Sequence, residues 1–378
     1  MHQCSNVSSE RRMEKSHTPI VSSPTINHPD TMPPTSDKIF WPNQVLQGRS
    51  RGWELGLPDY VDPQNKKPPV MIAVGGGKGG VGKSMVAANL SCRLAQNGKK
   101  VLAIDLDVGG ANLHTYFGMS SPKFNLADAF VYERKSLFEA AVPTPVNGVQ
   151  LLAGGREEAW GGLSSIDKGT LQKLMKSVLD VKESDGIDFI VFDLGAGTNQ
   201  ITLDIFAIAN LGLITVLPEP TSIENAYLFL KTSLFNVLDN VGTRTDSVEL
   251  AKQVKQFLIH GNGNGASKAS GYADRLKQVS KSHPVFAQNF KDALQGRVVG
   301  FAINQIRSQK DIDIGKSMEV IGQNYFGFNS KFCGFLNYDD AAWKSLRNRR
   351  MLSVDFPHAV LSRRFNDLVK NVSINLGF

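Results

Sequence analysis

The sequence predicts an α/β fold: a doubly wound, mostly parallel sheet of about seven or eight strands with helices on both faces and a helical insertion. Three observations carry this. Short apolar runs recur along the chain: VMIAV at Val70–Val74, KVLAID from Lys100, DFIVFD from Asp188, LGLITVL from Leu211 and VVGFAIN from Val298. Helical spacing of apolar residues fills stretches between them, as crossovers between parallel strands require. Several of the runs also end in an acid or an amide, at the strand end where an open α/β sheet places its ligands.

The first run leads straight into GGGKGGVGKS. Gly77, Gly82, Lys83 and Ser84 fit G-x-x-x-x-G-K-[ST], with a strand before the loop and a helical pattern behind it. Gly77, Gly79, Gly80 and Gly82, with Val81 among them, let the backbone curl so that successive N–H groups point at phosphate oxygens. The following helix adds the positive end of its dipole. In this reading Lys83 reaches the β- and γ-phosphates and the Ser84 hydroxyl ligates Mg²⁺.

A plain nucleotide loop has no use for the second lysine, Lys78. The form KGGVGKS resembles the deviant Walker-A ATPases related to MinD and ParA. That resemblance implies ATP and Mg²⁺ as cofactors and a homodimer closed around ATP, with Lys78 reaching across to the nucleotide of the other subunit. It also implies slow hydrolysis in the absence of a stimulating protein partner.

Composition narrows the class. The 378 residues are 41% hydrophobic, enough for a sizeable core behind a poorer tail. No run approaches the roughly 18 apolar residues of a membrane span. The net charge of +7 favours an anionic partner, nucleic acid or membrane surface, but the excess is modest and spread out. Cys4, Cys92 and Cys333 are isolated and no C-x-x-C occurs, which points to a reducing, cytoplasmic compartment. It also argues against the iron–sulfur carriers of the same superfamily, which commonly use paired cysteines.

Residues 1–66 are rich in Ser, Thr, Pro and Asn and read as a disordered tail, with the ATPase domain over 67–378. The tail has no apolar core of a secretory signal, and Glu10, Glu14, Asp30 and Asp37 suit a transit peptide poorly. One island, Ile39–Trp53, carries Phe40, Trp41 and Trp53 and either docks on a partner or packs back on its own domain. Within it, NQVLQGR at Asn43–Arg49 is loosely similar to the DQAxxLR element of FlhG-type flagellar regulators.

After the loop, Val86, Leu90 and Leu94 mark a helix that Gly98 ends. The strand from Lys100 extends to Asp107. The family resemblance implies that Asp105 serves the outer shell of the magnesium, that Asp107 orients the attacking water, and that Asn112 lies in the switch segment. Val149–Ala153 is a short strand and Leu171–Leu179 an amphipathic helix. DFIVFDLGAG resembles the family's second phosphate-side motif, in which Asp193 holds a magnesium water and Gly197 turns its N–H to the γ-phosphate.

The run from Leu211 leads into PEPTSIENAYLFLK, which resembles the segment of flagellar and septum-site ATPases. Thr221 or Ser222 caps the helix there, with Glu224 at capping-box distance from Thr221. About 232–296 is a helical insertion, with helices over Ser247–Leu258 and Phe286–Leu294 around GNGNGASKASG. Asn304 ends the next strand; relatives imply that it reads the adenine amino group, and the alternative is a plain strand-end amide. Asp311–Asn324 reads as helix and Lys331–Leu336 as strand.

Lys344, Arg347, Arg349 and Arg350 cluster beside Trp343, either as a solvated helix face or as a grip on DNA phosphates of the ParA kind. The final helix runs from His358 to about Val372. The amphipathic membrane anchor that closes MinD and FlhG is not expected in the six residues that follow, Ser373–Phe378, which leaves membrane association weak or indirect. The sequence thus predicts a MinD/FlhG-type ATP switch of cell polarity that sets the place or number of a cellular structure. A ParA-like DNA or cargo partition ATPase is the alternative.

Overall fold

The apolar runs assemble into one sheet. Its strands are β1 (Val70–Gly75), β2 (Val101–Asp105), β3 (Val142–Pro143), β4 (Val149–Leu152), β5 (Phe189–Asp193), β6 (Leu211–Val216), β7 (Val298–Ile306) and β8 (Asn329–Asn337). Their spatial order is β3-β4-β2-β5-β1-β6-β7-β8, parallel throughout except for the short antiparallel edge strand β3. The computed structural model describes residues 68–107, 110–133, 135–155, 168–179, 181, 186–260 and 271–377, all within the unit Lys38–Phe378. The tail, its Ile39–Trp53 island and NQVLQGR lie outside the described residues, as does nearly all of GNGNGASKASG.

Strand β1 explains why the sheet reads as continuous apolar sequence. Met71 and Ala73 enter the core on one face, and Ile72 and Val74 enter the core on the other. Helices α1 (Lys83–Gln96) and α14 (Val360–Leu376) pack together on the second face. Short helices α2 (Leu113–Tyr116), α3 (Leu126–Phe130) and α4 (Leu137–Ala140) follow β2, and α5 (Lys168–Leu179) precedes β5. The first face carries α6 (Gln200–Ile208) and α7 (Pro220–Arg244).

Helix α7 extends well past residue 232, and its far half packs on the helical layer formed by α8 (Val248–His260), α9 (Tyr272–Ser282) and α10 (Pro284–Gln295). Helices α8 and α10 fall where the spacing of apolar residues placed them. Helix α9 was not expected, because Tyr272, Leu276 and Val279 give it only a narrow apolar stripe. Tyr272 anchors it edge-on to Phe235 and Tyr325, with ring centroids 5.8 and 5.3 Å apart.

Several boundaries differ from the sequence reading for physical reasons. Strand β2 stops at Asp105, because its carboxylate accepts the Asp107 N–H at 3.1 Å and turns the chain out of the sheet. Helix α7 begins with Glu219 as its cap and Pro220 at its first position, so neither Thr221 nor Ser222 caps it and no capping box forms with Glu224. The Ser222 hydroxyl instead accepts the Leu217 N–H at 2.9 Å. Helix α11 (Gln309–Ile321) passes into a π-helix, Gly322–Phe326. Helix α12 (Asp340–Arg347) and the short α13 (Leu352–Asp355) lead to α14, which starts at Val360 and continues to Leu376.

Candidate functional site

The carboxyl ends of β1, β2 and β5 meet at the glycine-rich loop. Val74 pairs with Asp193 and Asp105 pairs with Asp193, so the two acids end adjacent parallel strands beside the loop. Gly77 lies against α7: a Cβ there would fall 2.1 Å from the Asn225 carbonyl oxygen, so only glycine allows this approach. Gly80 on the loop and Gly197 on the turn after β5 face open space, with no heavy atom within 4 Å of where a Cβ would stand. The Lys83 side chain is buried at the start of α1. Lys78 is exposed on the outer side, its Nζ 3.5 Å from the Thr221 hydroxyl.

The electrostatics of the three acids differ. Asp105 accepts N–H bonds from Asp107 and Leu113, each at 3.1 Å, yet burial still lifts its pKa to about 7. Asp193 is fully buried and neither carboxylate oxygen makes a hydrogen bond of good geometry, the Ser84 hydroxyl approaching it without closing one. Burial and the neighbouring Asp105 push its pKa well up, and the Ser84 hydroxyl and Lys83 ammonium offset only part of that. Asp107 is half-buried, raised by burial and lowered by Lys83, with its carboxylate between Gly110 and Gly195.

Two bare, buried carboxylate oxygens beside a hydroxyl and a lysine fit a hydrated Mg²⁺ carried by a phosphate chain. Among the described residues no group of three or more His, Cys, Asp or Glu side chains is arranged to hold a metal ion alone. Cys92 and Cys333 are buried, and burial raises their thiols to about 11 and about 12. Those values disfavour the thiolate form that soft metals need.

Beyond the phosphate loop, a cavity of about 390 Å³ opens at the ends of β6 and β7, lined by Leu217, Pro218, Glu219, Gln305, Arg307, Ser308 and Asp311. Asp311 fixes its rim by accepting the Arg307 and Ser308 N–H groups at 2.8 Å each, and the Arg307 guanidinium lies 4.4 Å over the Tyr338 ring. Asn304 does not line the cavity; its amide donates to the Val81 carbonyl. Sequence reasoning missed the cavity residues and Thr221 as the neighbour of Lys78, since polar residues on a loop carry no pattern of their own. It also missed Tyr116, whose hydroxyl burial and the Asp193 charge hold above its usual range.

The basic cluster lies on α12 and the turn after it. The Arg347 guanidinium sits 5.0 Å over the ring of Trp343, which is 59% exposed, and Arg350 faces Asp355 at 3.6 Å. Among the described residues no helix is long and apolar enough to cross a membrane.

Comparison with known proteins agrees with this geometry. A ParA family profile, described as NUBPL iron-transfer P-loop NTPase, matches residues 68–238. The antiactivator FleN of Pseudomonas aeruginosa is 36% identical over 166 residues, 43% of this chain and 56% of FleN, so the match spans little more than half of that relative. An uncharacterized ATP-binding protein of Methanocaldococcus jannaschii is 32% identical over 199 residues, 51% of this chain and 72% of that protein. The septum site-determining protein MinD of Pyrococcus horikoshii, solved as its complex with Mg-ADP, shares the fold with a TM-score of 0.53 at 19% identity, covering 82% of this chain and 98% of its own. An eight-stranded sheet with a glycine loop leading into α1 and acids at its strand ends, together with these similarities, places the chain in the ParA/MinD family of P-loop NTPases.

Proposed function

We propose that this chain is an ATP-binding and ATP-hydrolysing switch of the MinD/FlhG kind, which pairs around ATP to set the place or number of a cellular structure. The observation that carries the reading is Asp193, whose two unpartnered buried oxygens sit beside Lys83 and Ser84. Ser84 and Asp193 would hold Mg²⁺ there, and it would supply positive charge to the phosphate oxygens. Lys83 neutralises the terminal phosphates, and the N–H groups of residues 77–84 and of Gly197 orient them. Asp105 keeps Asp107 and α2 in place through its two backbone bonds. Asp107 accepts a proton from, or orients, the attacking water, and catalysis is otherwise positioning and charge stabilisation. The cavity beside Pro218 and Arg307 would take the adenine.

Lys78 supports the dimer because it projects outward, and α7 offers it nothing better than a marginal contact to Thr221. Sizing the chain with ATP and with ADP, beside Lys78→Ala, tests this. ATP alone should pair the wild type, and Lys78→Ala should remain single and hydrolyse more slowly. A variant that pairs and turns over as the wild type does would end the cross-subunit role.

A second reading has its own observation. The exposed Trp343–Arg347 stack with Lys344 beside it supports contact with a polyanion such as DNA. ATP-dependent, salt-sensitive retention of duplex DNA, lost in Arg349→Glu/Arg350→Glu, would favour a partition role. Absence of retention at low salt would remove it.

A further inference from the structure

The helical insertion leaves the core at Arg244, the last residue of α7, and returns at Arg297, the residue before β7. Both of its feet are therefore arginines. They stand at the amino end of β7, and the nine residues of that strand put roughly 30 Å of extended chain between Arg297 and the rim of the glycine loop.

Arg297 is buried, with 5% of its surface accessible. Its Nη1 donates to the Ala207 carbonyl in the last turn of α6, and its Nε is buried without a hydrogen-bond partner. Arg244 is half-buried and near enough for its charge to act on Arg297. Neither arginine pairs with an acid among the described residues, and no carboxylate acts on the charge of either. The chain beside them is apolar and buried at Val241, Leu294 and Val298.

Burial and the facing positive charge draw Arg297 down to about 10, still far above neutral pH, so both guanidiniums stay charged. The Ala207 carbonyl, at a helix end, offers only a partial negative charge. Two like charges at one place, one of them taken out of water, oppose the fold unless an anion offsets them. Guanidinium forks match the oxygens of a tetrahedral oxyanion, and a pair of them matches a dianion, whereas a monocarboxylate would leave one charge uncompensated.

We propose that Arg244 and Arg297 form a binding site for a small dianionic oxyanion of the phosphate class, which ties the two ends of the helical insertion to the core. The site stands apart from the glycine loop and does not depend on how that loop is read.

Thermal unfolding of the full chain is followed in phosphate, in glycerol 2-phosphate, in acetate and in chloride, at neutral pH and constant ionic strength, for the wild type and Arg244→Leu. Arg244→Gln repeats the comparison with a polar, uncharged side chain should leucine disturb α7. Phosphate bound at the glycine loop, or general salting-out, moves all chains alike, so the difference between them reads this site. About 20 mM phosphate should raise the wild-type Tm by about 3 °C, saturably, and the rise in either variant should be less than about half of that. In chloride Arg244→Leu should melt at or above the wild type, since it removes an uncompensated charge. Phosphate should also slow amide exchange in the last two turns of α7 and the first residues of β7 of the wild type. A response to glycerol 2-phosphate as well identifies a phosphoryl group on a larger molecule as an acceptable source, and a response to phosphate alone identifies the free ion; either sustains the proposal. An equal rise in wild type and both variants, or acetate acting as strongly as phosphate, would overturn it. So would a wild type indifferent to phosphate with Arg244→Leu melting lower in chloride, which would mean that a carboxylate elsewhere in the chain already holds the pair.

Discussion

At the residue scale the site is dominated by acids kept from water. Asp105 is held to about 7 by burial, against an ordinary value near 3.9, and Asp193 is pushed up as well. Between those limits the folded chain keeps a proton that the unfolded chain has released, so stability falls as pH rises from about 4 to about 7. Melting the ligand-free chain across that range should show a higher Tm at the acid end. Asp193→Asn should flatten the profile and raise Tm at pH 8 by about 2–4 °C, since it removes about 1 kcal/mol or more of charge burial, while abolishing Mg²⁺-dependent ATP binding. A fall in Tm at pH 8 would show that the carboxylate has a partner after all. Asp107→Ala should leave ATP affinity within a few-fold and lower kcat by about 100-fold, as loss of a group that handles the water proton would. Unchanged turnover would send the water to another residue. The glycine loop between β1 and α1 was readable from its spacing alone. The contact of Asn304 with Val81 was not readable, because Val81 lies in the loop before α1, 223 residues away in sequence.

At the scale of elements, strands were legible and their ends were not. Continuous apolar runs mark β1, β2, β5, β6 and β7 because both faces are covered, whereas their limits depend on turns made by single side chains such as Asp105. Helix α7 shows the same division: a helix was readable there, but Pro220 rather than a hydroxyl residue set its start. Strand β7 carries strain that no pattern reveals, at left-handed Gln305. Gln305→Gly should therefore stabilise the chain by about 1 kcal/mol in chemical denaturation, and a loss would mean that its side chain is held by more than its backbone. Helix α9 depends on its aromatic anchor. Tyr272→Ala should raise amide exchange throughout residues 272–282 and leave ATP affinity unchanged, and exchange that stays slow would show that α8 and α10 hold α9 without it.

At the scale of the whole molecule, the order β3-β4-β2-β5-β1-β6-β7-β8 brings residues far apart in sequence to one rim. Glycine loop, paired acids and cavity all sit at the carboxyl ends of the strands, while the basic cluster was legible only as composition and the helical insertion only as two of its helices. Their partners are not encoded in any spacing that the chain displays. In the family reading the decisive measurement is again collective: mass in solution with ATP, with ADP and without Lys78.

Helix α7 touches Gly77 through Asn225 near its beginning and carries α8 and α10 on its last turns. One residue added between Asn225 and Arg244 would rotate everything downstream by about 100° and advance it by about 1.5 Å. Lengthening this rod is therefore tolerable only in near-whole turns, and an engineer who wished to redirect the insertion could do so by counting residues there, without altering a single atom at the loop.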